Sequence, residues 1–170
     1  LDKAHQDMHY LISTDTAQGE TTARLIQEFL HENGVNTQVF TPDGLSTQDT
    51  KAFSTGTKAL MKWCEDTLPG YRDSGYQITF NLVGGFKSLQ GYMNTIGMFY
   101  ADEILYIFEA VTADLIRIPR LPIQMDTNVL KAHVLKFALM AAGKLYPIDS
   151  IADIPETLLE TDGTYTTLSD

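Results

Sequence analysis

The sequence predicts an α/β domain of three layers, in which a mostly parallel sheet carries helices on both faces and ends in an antiparallel hairpin. Strand-like apolar runs alternate along the chain with longer segments of helical periodicity, as in a parallel sheet with crossover helices. The run at 104–108 is apolar throughout, which is typical of a strand covered on both faces. Leu115–Ile118 follows closely enough to return as its antiparallel partner.

Local patterns predict the individual elements. β-Branched and aromatic residues concentrate in segments that are predicted to be strands: 8–12, 35–40, 77–83, 104–108 and 115–118. Apolar residues at near-helical spacing predict helices that include 23–30, 48–68, 87–100 and 128–145. Asn33 and Gly34 are expected to end the first helix, and Pro69 and Gly70 the second.

The most informative stretch joins the third predicted strand to the third helix. Gly84 and Gly85 allow positive φ angles and let a ligand approach the backbone without meeting a Cβ atom. The amides that start the following helix favour an anion, and Lys87 adds a positive charge. Neutral hydrogen-bonding groups lie nearby on Asn81, Ser88 and Gln90. The stretch therefore predicts a phosphate site, and the alternative is a glycine turn that only packs a helix on a sheet.

A second polar loop, 13–19, follows the first predicted strand. Ligands of open α/β sheets bind outside the carboxyl ends of the strands, so this loop and 81–88 are expected on the same rim. The loop offers small polar side chains from Ser13, Thr14, Asp15 and Thr16.

Several residues near these loops have two possible roles. Asp15 either orients Lys87 or a ribose, or caps the following helix. Phe86 either stacks on a base or packs down at the helix start. Arg117 and Arg120 either clamp a ligand or a dimer mate, or form a solvated strand edge.

Composition restricts the class of ligand. Lysine and arginine number 12 against 22 aspartates and glutamates, which gives a net charge of −10. This balance argues against non-specific binding to long nucleic acid but permits a small anion in a locally basic pocket. The single cysteine, Cys64, excludes an internal disulfide and fits a cytoplasmic protein. No metal-ligand spacing and no membrane-spanning run is visible, and neither a metal nor a cofactor is expected.

The chain is expected to hold a ligand-binding domain at 1–145 and a C-terminal arm, or the start of a linker to a further domain, at 146–170. It begins at Leu1 rather than at a methionine, so residues are expected to be missing at one or both ends. His133, in the last predicted helix, is expected at the edge of the core.

Five segments carry a specific combination of motifs: STDTAQGE at 13–20, NLVGGFKS at 81–88, GMFYADE at 97–103, YIFE at 106–109 and LIRIPRLPI at 115–123. With these motifs the chain resembles the CARF domains of CRISPR-associated proteins, and looks closest to the APE2256-type group. The likeness covers about residues 8–145. It implies a Rossmann-like homodimer that binds a cyclic oligoadenylate across its two-fold axis, with cyclic tetra-adenylate as the expected ring. An earlier strand and Gly-Thr-Ser-like loop that are usual in the family have no counterpart in this sequence.

The resemblance implies a set of ligand-binding residues: Ser13, Thr14, Asp15, Thr16, Asn81, Gly84, Gly85, Phe86, Lys87, Ser88 and Gln90. Relatives either sense the messenger for an attached effector, often a ribonuclease, or cleave it as ring nucleases. If this chain is a metal-independent ring nuclease, Lys87 and Ser13 are the catalytic candidates. A third hypothesis is a dimeric Rossmann-like scaffold without a nucleotide ligand.

Overall fold

The computed structural model describes residues 6–46, 49–107, 114–124 and 127–169, except for the side chains of Val129 and Thr157. Gln48, in the second predicted helix, and Phe108 and Glu109, in the fourth strand and its motif, lie outside these ranges. The chain divides into two compact units: unit 1, Leu1–Leu121, and unit 2, Pro122–Asp170. Within the described residues, no helix has the length and apolar character that crossing a membrane requires.

Unit 1 alternates strands with helices and is a mixed α/β unit. Its elements are β1 (Met8–Ile12), α1 (Ala17–Glu32), β2 (Asn36–Phe40), α2 (Thr50–Asp73), β3 (Thr79–Asn81), α3 (Lys87–Tyr100), β4 (Glu103–Ile107) and β5 (Leu115–Ile118).

The strands of unit 1 form two small sheets. β1 pairs in parallel with β2, and β3 pairs in parallel with β4. β5 pairs antiparallel with β4, with Leu115 opposite Ile107, so the predicted hairpin pairing is confirmed. The single, mostly parallel sheet that we expected is not formed among the described strands, because the backbones of β1 and β3 pair with β2 and β4 rather than with each other.

Helix α2 packs against both sheets. Its Trp63 stacks on Phe40 of β2 at 4.8 Å between ring centroids. Farther along, Cys64 and Leu68 join the core cluster that contains Phe80 of β3. The two sheets therefore share one hydrophobic core.

The second helix is longer than predicted, because α2 continues through Pro69 to Asp73. Proline removes one backbone donor, but the extra turn makes contacts that offset this loss. Tyr71 packs on the core and shares a 2.8 Å hydrogen bond between hydroxyl groups with Tyr10. Arg72 donates to the carbonyl oxygen of Tyr100 at 2.7 Å.

Unit 2 combines short helices with a three-stranded antiparallel sheet of order β6-β8-β7. Its elements are α4 (Asn128–Ala132), α5 (Val134–Ala141), β6 (Tyr146–Pro147), 3-10 turns at Ile148–Ser150 and Glu156–Leu158, β7 (Leu159–Thr161) and β8 (Tyr165–Leu168). A separate core forms around Met140, Ile151 and Ile154.

One prediction for this region needs correction. The helix predicted at 128–145 is interrupted at His133, where φ is −123° and ψ is 20°, and ends at Ala141. Residues 146–169 include β6, β7 and β8, and Tyr146, Leu159 and Leu168 of these strands pack against the core cluster of unit 2. That residues 146–170 form an arm or the start of a linker stays a prediction. The assignment of 1–145 to ligand binding stays a prediction.

Candidate functional site

The turn between β3 and α3 has the open backbone that the sequence predicted. Gly84 and Gly85 have φ angles of 89° and 83°, in the region that favours glycine. A Cβ atom built on either residue would meet nothing within 4 Å. The two glycines are therefore required by the backbone conformation of the turn and not by neighbouring side chains, and the described residues leave the space beside them open.

Two of the predicted ligand-binding residues hold this turn in place. Gln90 Nε2 donates to the carbonyl oxygen of Gly84 at 2.8 Å and to that of Leu82 at 3.2 Å. Asn81 Oδ1 accepts a hydrogen bond from the amide of Val83 at 3.1 Å. The sequence placed both polar side chains at the site, but their bonds to the loop backbone appear only in the structure.

Helix α3 begins directly after the glycines and leaves its first amides available. Its N-cap residue, Phe86, offers no side-chain acceptor, and the first amides of any α-helix lack partners within the helix. Lys87 and Ser88, the first two residues of α3, are exposed. Within the described chain, no carboxylate forms an ion pair with Lys87. These amides and the ammonium group together create a positive potential at the end of the turn.

Phe86 lies at the edge of the same turn. Phe86 is 48% exposed, and Val83, in the same loop, is 44% exposed. We expected an aromatic residue here to pack down at the helix start more often than to face a ligand, and this exposure leaves a large part of the ring open to solvent.

Local hydrogen bonds in the loop after β1 engage Ser13, Thr14 and Thr16. Thr16 caps α1, because its hydroxyl group accepts from the amide of Gly19 at 3.0 Å. Thr14 Oγ1 lies 3.0 Å from Thr16 Oγ1. Ser13 is only 4% exposed and donates to the carbonyl oxygen of Thr14 at 3.0 Å. Access to Ser13 is consequently much poorer than to the turn at Gly84.

Asp15 does not cap α1, which corrects one of the two roles expected for it. Its carboxylate accepts a hydrogen bond from the amide of Gly44 at 2.8 Å, and its own amide donates to Leu45 O at 2.7 Å. Asp15 therefore fastens the loop after β1 to the loop after β2. In the described residues, no hydrogen bond joins either of these loops to 81–88, so the shared rim stays a prediction.

Arg117, in β5, and Arg120, two residues after this strand, bind groups of their own unit. Arg117 forms an ion pair with Glu103 at 3.1 Å. Arg120 donates to the carbonyl oxygen of Met98, near the C-terminal end of α3, at 3.0 Å. These bonds link β5 and the following residues to the neighbouring strand and helix.

Two further titratable groups of unit 1 have raised pKa values. Burial raises the pKa of the Cys64 thiol to about 12, so this thiol stays protonated and is a poor nucleophile at neutral pH. The pKa of Tyr10 also rises to about 12, first because of burial and then because of its hydrogen bond with Tyr71. The described residues contain no group of His, Cys, Asp and Glu side chains that could hold a metal ion.

Comparison with known families identifies the family of this chain. A family model described as "CRISPR-associated protein (Cas_APE2256)" matches residues 1–121 of 170. A search of curated proteins found no match. Because the matched region includes all of unit 1 and its glycine turn, the chain belongs to the Cas_APE2256 family of CRISPR-associated proteins.

Proposed function

We propose that this protein senses a cyclic oligoadenylate, with cyclic tetra-adenylate as the preferred ring, through a CARF-type domain that binds the ligand at a homodimer interface. The observation that carries the proposal is the open turn at Gly84 and Gly85, followed by the first amides of α3 and by Lys87. These amides have no side-chain cap, and Lys87 forms no ion pair with the residues that the structure describes. Membership of the Cas_APE2256 family adds support, because the resemblance to CARF domains of CRISPR-associated proteins implies this class of ligand.

The chemistry of the turn suits a phosphodiester. Backbone amides at the start of α3 are fixed donors, and the helix dipole favours a negative charge in front of them. Lys87 supplies a mobile charge that can follow either free phosphate oxygen. The net charge of −10 does not oppose this binding, since the positive potential is local to the turn.

The same turn offers surfaces for the nucleoside. Phe86, at 48% exposure, presents an aromatic ring on which a purine can stack. Asn81 keeps an amide NH₂ group, while its Oδ1 is used within the loop. These groups favour a nucleotide over a simple phosphate ion.

The first strands of the two small sheets, β1 and β3, begin close together. A cavity of about 340 Å³ is lined by Asp7 and Met8 at the start of β1 and by residues 75–77 and Thr79 at the start of β3. The amino ends of these two strands are therefore neighbours, which favours loops 13–19 and 81–88 facing a common ligand at the opposite ends. A symmetric ring would then suit an isologous dimer, in which each subunit contributes the same loops.

The two alternatives have less support. A scaffold without ligand would be favoured by side chains packed over Gly84 and Gly85, and these glycines are open. A ring nuclease would need a side chain that positions the ribose 2′-hydroxyl group at the scissile bond, and Ser13, a candidate for this role, is 4% exposed and bonded to Thr14. A sensor needs only binding, so it is the function that we propose.

Calorimetric titration of the complete protein with cyclic tetra-adenylate and cyclic hexa-adenylate tests the proposal, with linear tetra-adenylate as the control for charge. We expect saturable binding of one ring per dimer, with weaker binding of the linear form. Chromatography of the same samples after long incubation separates a sensor, which returns the ring intact, from a nuclease. Absence of binding to either ring, or a protein that is monomeric by light scattering with and without ligand, would refute the proposal.

A further inference from the structure

Helix α3 joins the candidate site to the last residues of unit 1. Its first turn follows Gly84 and Gly85, and its last turn holds Met98. The carbonyl oxygen of Met98 accepts from Arg120 Nη2 at 3.0 Å, and its sulfur atom accepts from the amide of Leu121 at 3.5 Å. Since unit 1 ends at Leu121, both bonds lie where the chain leaves this unit.

The last turn of α3 is closely packed, whereas its partners Arg120 and Leu121 are exposed. Met98 is 8% exposed, and the adjacent Gly97 lies so close to the sheet that an added Cβ would be 2.8 Å from Ile104 Cδ1 and 3.2 Å from Phe80 Cδ2. The helix therefore has no freedom to move toward the sheet. Movement along its own axis, in the manner of a shear, is the displacement that such packing permits.

We infer that α3 couples ligand binding at its first turn to the restraint on Arg120 and Leu121 at its last turn. The inference rests on the proposed function, because it takes the same ligand at the same turn. An anion bound by the amides and Lys87 holds the N-terminal end of the helix. The C-terminal end, roughly 16 Å away at about 1.5 Å of rise per residue, then presents Met98 to the end of unit 1 in one position.

Such coupling must be reciprocal. If the ligand strengthens the bonds between Met98 and the 120–121 segment, then breaking those bonds must lower the affinity for the ligand by the same factor. Typical coupling between sites corresponds to about a 5- to 150-fold change in affinity. A residue at the far end of α3 should therefore change affinity without touching the ligand.

The test compares Arg120→Ala with Arg117→Ala in the complete protein. Arg117 lies in the same segment and pairs with Glu103, so its variant controls for the loss of one arginine. Calorimetry gives the affinity for cyclic tetra-adenylate, and NMR gives the exchange rate of the Leu121 amide with and without this ligand. Met98→Leu, which keeps the volume and the carbonyl group but lacks the sulfur acceptor, replaces Arg120→Ala if that variant does not fold.

The expected result is a loss of affinity of about fivefold or more in Arg120→Ala and none in Arg117→Ala. In the wild-type protein, the ligand should slow exchange of the Leu121 amide by a similar factor, and this slowing should vanish in Arg120→Ala. The coupling is overturned if the wild type binds the ring without any change in Leu121 amide exchange and Arg120→Ala binds it with unchanged affinity. The proposed function would still stand. A wild-type protein that binds no ring would overturn both.

Discussion

Gln90 donates from Nε2 to the carbonyl oxygen of Gly84 at 2.8 Å, across the mouth of the turn that leads into α3. The same nitrogen donates to the carbonyl oxygen of Leu82 at 3.2 Å, so one amide group binds two carbonyl groups of the loop. The helix thereby fixes the turn from which it starts. We conclude that Gln90 acts on any ligand mainly through the backbone that it positions.

The first prediction concerns this bond. Gln90→Met keeps the length of the side chain but removes both donors, and we expect a loss of about 1 kcal/mol in the free energy of unfolding. The amides of Gly84 and Gly85 should exchange faster in the free protein, and the affinity for cyclic tetra-adenylate should fall. Gln38→Met, an exposed glutamine on β2, is the control. Unchanged glycine exchange in Gln90→Met would contradict the positioning role.

The second prediction concerns charge at the site. Lys87→Ala removes a charge-assisted bond worth about 1.5–3 kcal/mol, so we expect roughly ten- to a hundredfold weaker binding of cyclic tetra-adenylate by calorimetry. The melting temperature of the free protein should not change, because the side chain is exposed. Lys62→Ala, which removes another exposed lysine, paired with Asp66 at 3.2 Å, should bind like the wild type. Equal affinities in both variants would place the ligand elsewhere.

The third prediction compares two glycines that have free space around them. Gly85→Ala puts a Cβ on a residue with φ of 83°, so it should cost about 1–2 kcal/mol of unfolding free energy. Gly91→Ala lies inside α3 with nothing within 4 Å and should stabilise the protein by about 0.5–1 kcal/mol. Urea denaturation followed by Trp63 fluorescence measures both. The same sign of effect in the two variants would mean that the turn adopts another backbone conformation.

The fourth prediction concerns how the stability of unit 2 depends on pH. The pKa of Asp153 is lowered from its ordinary value of 3.8, first by a bond to its own backbone amide and then by Lys136 and His133, against an opposing effect of desolvation. A carboxylate whose pKa falls on folding adds stability above its ordinary pKa and loses it as the pH drops through the lowered value.

Comparison of the wild type with Asp153→Asn measures this contribution. The wild type should be the more stable at pH values well above 3.8, and the difference should shrink as the pH falls below that value. NMR signals of β7 and β8 follow unit 2, since the single tryptophan lies in unit 1. A difference in stability that is the same at all pH values would contradict a contribution from the lowered pKa of Asp153.

The third strand and its turn were predictable because their signals are local. A β-rich run that stops at Gly84 and Gly85 needs no distant residue to specify a turn, and both φ angles are positive. The antiparallel pairing of β4 with β5 was also predictable, since the two segments are neighbours in sequence. Such features depend on backbone preferences that each residue carries by itself.

Other features depended on partners far away in the chain. Gly56 lies inside α2, where glycine is a poor helix former, but a Cβ there would overlap the backbone of Leu45, so the glycine permits close packing. Pro69 indicated a helix end, yet Tyr71 and Arg72 extend α2 through contacts with Tyr10 and Tyr100. The sheet in unit 2 went unrecognised because its strands are short and the segment is rich in charge.

By itself, the sequence determined the mixed α/β character and the glycine turn, since both follow from short-range patterns of polarity and conformational preference. The set of ligand-binding residues stays a prediction that the family resemblance implies. Only the tertiary structure decided that Gln90 and Asn81 bond to the loop, that Asp15 joins two loops and that Met98 holds Arg120. The physical reason is that a hydrogen bond needs both partners within about 3 Å, and only folding brings partners from separate elements to that distance.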